Sequence, residues 1–125
     1  MDETIVWRGN VIKFQGVKFT SEETYDQLKK WKKGETIKFG ENSKWGSSNY
    51  DMTILSSSTV EDRAFYFYEN IMVHIVNDKG VRGFNISSVS GYTEDEVIFG
   101  DSFEYEFQKA LFINGRPYMF LKQKA

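Results

Sequence analysis

The sequence contains no cysteine, one histidine and one proline among its 125 residues. Without cysteine there is no disulfide framework, no thiolate nucleophile and no cysteine-ligated zinc or iron–sulfur site. The single histidine, His74, excludes a histidine-rich metal site and leaves one candidate for a Ser-His dyad. Catalysis would therefore have to come from carboxylates, hydroxyls, arginine or lysine, with or without a bound cofactor.

Long apolar runs and a surplus of one charge are also missing. The longest apolar stretch, 71–76, has the length of a strand and falls far short of the ~20 residues that span a membrane. The acidic start, Met1 to Thr4, predicts no signal peptide in this sequence. A net charge of −2 and a pI near 5.5 argue against a general nucleic-acid binder. The length predicts one domain, residues 1–125, with a core of its own.

The first fifty residues predict one helix among short strands. Residues 4–9 form a predicted strand, and Thr20 to Glu23 form a capping box that opens a helix. Tyr25, Leu28 and Trp31 continue this helix to a stop at Gly34. Its basic cluster is interpreted as a solvated face in the last turn rather than a phosphate or RNA patch: Lys29, Lys30, Lys32 and Lys33. Residues 35–39 then predict a strand, and residues 40–50 a polar loop.

The remaining residues predict mostly strands. Ser58 to Glu61 form a second capping box, and a short helix follows through about Tyr68. Strands are predicted at 71–76, 81–86, 94–99, 103–113 and 116–122, the last two joined by the hairpin turn Asn114-Gly115. The pattern predicts an α+β domain dominated by antiparallel sheet.

Three local features could carry chemistry, and each also has an ordinary structural explanation. Arg8 stands at a strand end before Gly9, where it could clamp an anion or be an inert surface residue. Ser56, at a strand edge, could bind a carboxylate, whereas Ser58 is best explained as a helix cap. Glu94 and Glu96 project from one face of a strand, as an active carboxylate pair or as a solvated edge.

Two further features also have both a functional and a structural explanation. Glu104 and Glu106 have the spacing of the first glutamate pair, so spacing alone does not choose between the pairs. His74 alternates with Val73 and Ile75 in an apolar strand, and a satisfied structural histidine is favoured there over a catalytic one.

The order of the three features is more specific than any one of them. An aromatic-Arg-Gly strand comes first, a Ser-x-Ser strand end follows with Ala64 and Phe67 on the next helix, and a Glu-x-Glu-Val-Ile strand comes last. This order resembles the arginine-type mono-ADP-ribosyltransferases, the family with the Arg/Ser-Thr-Ser/Glu-x-Glu motifs. The resemblance covers most of the chain, in segments 32–37, 56–67, 86–99 and 100–107, with Ser57 in place of threonine and Trp7 in place of tyrosine or phenylalanine.

The resemblance implies a fold of two packed, mostly antiparallel sheets with an N-terminal helix and a short helix after the Ser-x-Ser strand. It also implies that the active pair is Glu94 and Glu96. The resemblance also implies a role for each site residue. Arg8 would hold the pyrophosphate and ribose side of NAD, Gly9 would offer backbone groups to the nicotinamide, and Phe67 would pack on the nicotinamide. Ser56 would orient the catalytic Glu96. Glu94 would activate the acceptor, and Tyr92 would recognise it.

The implied activity is transfer of ADP-ribose from NAD, as a substrate and without a metal, to an exposed arginine of a protein. A compact member of this kind resembles the effector end of a bacterial toxin. The resemblance implies that it acts in a cytoplasm containing NAD and is secreted or delivered as part of a larger protein. An immunity or inhibitor protein is a further candidate partner. Two alternatives stay open: the same fold acting on water or nucleic acid, and a non-enzymatic β-rich module that binds through Trp31, Trp45 and Tyr50.

Overall fold

In the computed structural model, the described residues are 5–45, 48–52, 56–58, 61–76, 84–85, 96–98 and 104–124. The helical segments are α1 (Ser21–Leu28), α2 (Glu61–Ala64) and a 3-10 helix that continues α2 (Phe65–Phe67). The strands are β1 (Ile5–Asn10), β2 (Lys13–Phe14), β3 (Val17–Lys18), β4 (Thr36–Ile37), β5 (Gly40–Trp45), β6 (Ser48–Met52), β7 (Ser56–Ser58), β8 (Ile71–Val76), β9 (Phe84–Asn85), β10 (Glu96–Ile98), β11 (Tyr105–Ile113) and β12 (Arg116–Gln123).

These strands form two sheets. The larger has the order β4-β11-β12-β8-β1-β7-β10-β9, and the smaller has the order β3-β2-β6-β5. Neighbouring strands are antiparallel except for β8 and β12, which run parallel. The predicted α+β fold with two mostly antiparallel sheets is therefore confirmed. No helix in the described ranges is long and apolar enough to cross a membrane.

The main core lies where α1 and the inner faces of the two sheets meet. It includes Leu28 of α1, Met52 of the smaller sheet, and Val73 and Leu121 of the larger sheet, all buried. Asn70 ties the start of β8 to the chain near the smaller sheet. Its side chain accepts a hydrogen bond from the Ile12 amide at 2.8 Å and donates to the Ile12 and Phe19 carbonyls at 2.9 and 3.0 Å.

The start of α1 agrees with the sequence prediction, and its end does not. The Thr20 hydroxyl accepts from the Glu23 amide and the Glu23 carboxylate accepts from the Thr20 amide, which confirms the capping box. The helix ends at Leu28, so the four lysines lie after it, and placing them in its last turn was wrong. The indole of Trp31 packs beside the Phe14 ring, with centroids 5.7 Å apart, and this tertiary contact is made outside the helix.

The prediction of a polar loop at 40–50 was also wrong, because these residues include most of two paired strands. β5 and β6 are antiparallel partners, and β6 pairs with β2 on its other side. Tyr50 and Met52 of β6 are buried in the main core. A polar segment can thus form a strand when its neighbours supply the backbone hydrogen bonds.

The C-terminal hairpin is as predicted. Asn114 and Gly115 join β11 to β12 and have φ angles of 51° and 77°. Positive φ at both central residues is the requirement of a type I′ hairpin turn, which Asn-Gly satisfies at low cost. The hairpin fixes the register of β12, and two residues of this strand, Arg116 and Tyr118, contact the segment 61–68.

Candidate functional site

The three motifs that are separate in the sequence lie on three neighbouring strands. β7 lies between β1 and β10, with Trp7 opposite Ser58 and Ser58 opposite Glu96. The row continues through β8 and β12, where His74 is opposite Trp7 and Phe120 is opposite His74. Arg8 is the next residue of β1 after this row. The fold therefore brings the arginine strand, the serine strand and the glutamate strand together.

The register between β7 and β10 adds Ser58, which the sequence analysis interpreted as a helix cap, to the residues of the site. Ser56 is opposite Ile98, whereas Ser58 is opposite Glu96. Ser58 is thus the strand neighbour of the proposed catalytic glutamate. The helix cap predicted for Ser58 involves residues 59 and 60, which lie outside the described residues. The alternation of the Ser-x-Ser motif was the sequence signal that both serines could share a strand.

Arg8 contacts the segment that follows the serine strand. Its guanidinium carbon lies 5.1 Å from the centroid of the Phe67 ring, which is the geometry of a cation–π contact. Burial lowers the pKa of Arg8 from its ordinary value, yet an arginine remains charged across the physiological range. The site therefore contains a partly buried positive charge beside an aromatic ring.

Gly9 has a packing role that the sequence did not reveal. A Cβ atom at this position would lie 2.0 Å from the Ala64 carbonyl oxygen, 2.6 Å from the Tyr68 nitrogen and 3.0 Å from the Phe67 carbonyl carbon. These are backbone atoms, so no rotamer change would make room. Glycine at position 9 lets the α2 and 3-10 segment lie directly on β1, and this contact sets the position of Phe67 relative to Arg8.

The 3-10 helix presents two aromatic rings to solvent. Tyr66 is 88% exposed and Phe67 is 56% exposed, whereas Phe65 and Tyr68 are half-buried. The exposed ring of Phe67 beside the half-buried arginine is able to stack on a planar ligand, and the arginine is able to neutralise an anion.

Not every predicted site residue is described. Tyr92 and Glu94 lie outside the described residues. For Ser56 and Glu96 the structure gives the strand positions reported above. Arg8, Gly9 and Phe67 are described in full, and they lie together.

His74 is packed between aromatic rings in the same row. Its ring centroid is 4.4 Å from that of Trp7 and 4.9 Å from that of Phe120. Burial lowers the pKa of His74; the charge of Glu61 opposes this shift and that of Lys109 adds to it. Its Nδ1 is buried and has no hydrogen-bond partner within the described part of the chain. The packing agrees with the predicted structural role, but the expected polar partner is not present there.

A metal centre finds no support in the described ranges, which contain no group of three or more histidine or acidic side chains able to hold an ion. The chemistry that these residues offer is that of an anion clamp, an aromatic platform and a strand bearing a carboxylate residue.

Comparison with solved structures relates this fold to that of a toxin. No family model matches the chain, and no curated protein matches it either. Solved structures of Vis toxin, an ADP-ribosyltransferase from Vibrio splendidus, are similar, including complexes with the M6 inhibitor and with agmatine. They share 14% identity and TM-scores of 0.61 to 0.63, covering 98% of this chain and 49% to 50% of theirs. The chain therefore spans about half the length of these structures and has an ADP-ribosyltransferase-like fold.

Proposed function

We propose that the chain is a mono-ADP-ribosyltransferase that transfers ADP-ribose from NAD to an arginine of an acceptor protein and releases nicotinamide. The observation that carries this proposal is the convergence of the Arg8, Ser-x-Ser and Glu96 strands into three adjacent positions of one sheet. The fold shared with Vis supports it independently of the motifs.

The described residues fit the NAD end of the reaction. The half-buried, cationic guanidinium of Arg8 would bind the pyrophosphate, because partial burial strengthens a charge-assisted hydrogen bond to phosphate oxygens. The exposed ring of Phe67 would pack on the nicotinamide. The backbone of Gly9, next to both, would supply hydrogen bonds to the carboxamide.

Glu96 would act at the bond that breaks. Its carboxylate would accept a hydrogen bond from the 2′-hydroxyl of the nicotinamide ribose and lie near the positive charge that develops at C1′. The hydroxyl of Ser56 would orient this carboxylate, and the β7–β10 register makes Ser58 a second candidate for the same role. Nicotinamide leaves as a neutral molecule with the electrons of the C1′–N bond, so neither a metal nor a strong nucleophile is required.

Glu94 would serve the acceptor. A guanidinium is a poor nucleophile while it is protonated. Glu94 would accept its proton as the guanidino nitrogen bonds to C1′, which balances the reaction, and Tyr92 would contact the incoming side chain. Agmatine, found with Vis in one of the similar structures, carries the same guanidino group as arginine. We infer from this shared chemistry that an arginine is the acceptor here.

The setting of the activity belongs to the same proposal. We propose a toxin or effector domain that acts where NAD is available and reaches that compartment within a larger protein. An immunity or inhibitor protein is the partner expected to block the site.

The test uses labelled NAD with agmatine as a soluble acceptor and a lysate as a protein acceptor. We expect label in both, and we expect Glu96→Gln to lower transfer by about 100-fold or more, as loss of an electrostatic group at a developing charge does. Glu106→Gln is the matched control, since it makes the same change in the second Glu-x-Glu triplet and should leave transfer unchanged. Glu94→Gln should lose transfer while retaining some NAD hydrolysis.

The same assay separates the alternatives. Nicotinamide release without labelled agmatine or protein would identify water as the acceptor. Label that is lost to nuclease but survives protease would identify nucleic acid. No thermal stabilisation by millimolar NAD, together with no nicotinamide release, would reject the enzyme in favour of a binding module. Unchanged transfer by Glu96→Gln would reject the site assignment.

A further inference from the structure

Tyr66 and Phe67 are exposed and are flanked by the half-buried rings of Phe65 and Tyr68, and these two flanking residues set the direction of the Phe67 ring. A 3-10 helix has three residues per turn, so side chains at i and i+3 lie above one another. Phe65 and Tyr68 have this spacing and are half-buried, whereas Tyr66 and Phe67 between them are exposed. Any group that holds Phe65 and Tyr68 against the protein therefore turns Phe67 outward, toward Arg8.

Arg116 is such a group. Its guanidinium carbon lies 4.7 Å from the Phe65 ring centroid and 5.3 Å from the Tyr68 ring centroid. It is the first residue of β12, directly after the hairpin turn. One planar cation therefore contacts both inward-facing rings of the 3-10 segment from a distant part of the chain.

The rest of the segment is fixed at separate points. The Tyr118 hydroxyl donates a hydrogen bond of 2.8 Å to the Glu61 carboxylate at the start of α2. The Tyr68 hydroxyl is hydrogen-bonded to the Ser21 hydroxyl at the start of α1. Ala64 lies against Gly9. These anchors hold the two ends and the middle of the segment. Phe65 and Tyr68 also pack against the buried cluster of Ala64, Met72 and Tyr118, and Arg116 is the cation that stacks on both rings among the described residues.

We propose that Arg116 is a positioning residue for NAD binding, acting through Phe65 and Tyr68 to hold Phe67 in place beside Arg8. The kinetic part of this inference rests on the proposed function. The structural part, the dependence of Phe67 on Arg116, does not.

The kinetic expectation is a change in KM for NAD. Arg116→Ala removes two cation–π contacts, each weak at a half-exposed site, so KM for NAD should rise about fivefold. The kcat at saturating NAD should stay within about twofold, because Arg116 has no part in the proposed bond breaking and acts only through Phe65 and Tyr68. Arg116→Lys keeps the charge but not the planar stack, so it should lie between wild type and Arg116→Ala.

Lys109→Ala is the matched control. The Lys109 ammonium lies 5.1 Å from the Phe120 ring on the neighbouring strand, so the variant also removes a cation–π contact. It does not touch the 3-10 segment. KM for NAD should therefore be unchanged in this variant.

A second measurement needs no activity. The protein is labelled with 4-fluorophenylalanine, and the fluorine resonance of Phe67 is assigned by its loss in Phe67→Leu. Arg116→Ala should shift or broaden this resonance, and Lys109→Ala should leave it in place. If Arg116→Ala does not fold, Arg116→Lys and Arg116→Gln provide the same reading.

The outcomes distinguish the two proposals. A displaced Phe67 resonance in a protein without transferase activity would retain the positioning role and reject the proposed function. Transferase activity with an unmoved Phe67 resonance and an unchanged KM in the Arg116 variants would overturn the positioning role. An equal rise in KM for Lys109→Ala would also overturn it, because the effect would then follow from a general loss of surface cations.

Discussion

Replacement of Gly9 by alanine tests the contact between β1 and the segment that carries Phe67. The added Cβ would lie 2.0 Å from the Ala64 carbonyl oxygen, and real Cβ contacts are essentially never shorter than 3.0 Å. The oxygen would therefore have to withdraw by about 1 Å, together with the Tyr68 nitrogen at 2.6 Å. Both are backbone atoms, so the whole segment would move.

The magnitude follows from the kind of overlap. Overpacking of a rigid site costs about 1–3 kcal/mol, and an overlap with backbone on two sides belongs at the upper end, near 3 kcal/mol. For a chain of this length, a loss of that size lowers Tm by about 10 °C. A moved segment would also withdraw Phe67 from the Arg8 guanidinium, so NAD affinity should fall as well.

The assay is urea and thermal unfolding of both proteins without NAD, which isolates the packing effect from ligand binding. Gly16→Ala is the control, because Gly16 lies in the turn between β2 and β3, nothing lies within 4 Å of its Cβ and only the positive φ of 79° opposes alanine. It should cost about 1 kcal/mol, which is the ordinary penalty for a residue with a side chain in a left-handed turn. Its NAD affinity should stay at the wild-type value.

A loss below about 1 kcal/mol for Gly9→Ala would refute this reasoning, because the α2 and 3-10 segment would then be free to shift without a cost. A loss of the expected size with unchanged NAD affinity would keep the packing role and reject the link from Gly9 to Phe67.

Two further predictions concern buried polar groups. Asn70→Ala should lower the free energy of unfolding by about 3 kcal/mol in urea titration, because it leaves the Ile12 and Phe19 backbone groups without their partner, and a loss under about 1 kcal/mol would contradict this. Because the pKa of His74 is lowered from 6.5 in the folded state, the unfolded chain takes up the proton first as pH falls. The contribution of His74 to the free energy of unfolding should therefore be fully present above pH 6.5 and decline below it. The decline in stability between pH 7.5 and 5 should be smaller in His74→Phe than in the wild type, and equal declines would contradict this prediction.

The parts of the fold that were predictable from the sequence are those decided by neighbouring residues. The capping box needs only Thr20 and Glu23, and the hairpin turn needs only Asn114 and Gly115, whose backbone preferences fix the local geometry. Both are confirmed. The end of α1 and the β5–β6 pair depended on distant contacts, of Trp31 with Phe14 and of β6 with β2, which no local pattern contains.

Some features of the site were likewise indicated by the sequence, and others depend on distant contacts. The family resemblance singled out Arg8, Gly9 and Phe67, and the structure places these three side by side. The role of Arg116 could not be predicted, since nothing between positions 68 and 116 indicates that β12 returns beside the 3-10 segment. The pairing of Ser58 with Glu96 is likewise a matter of register, which depends on strands far apart in the chain.

The central place of β1 in the larger sheet has a consequence for how the domain folds. Trp7 pairs with Ser58 on one side and with His74 on the other, so its two pairings close loops of about 50 and 70 residues. Contacts of such long range form slowly, because the chain entropy is lost before the contacts repay it. The arginine strand β1 therefore pairs with partners that are made much later in synthesis, and it is enclosed on both sides only after β8 has left the ribosome.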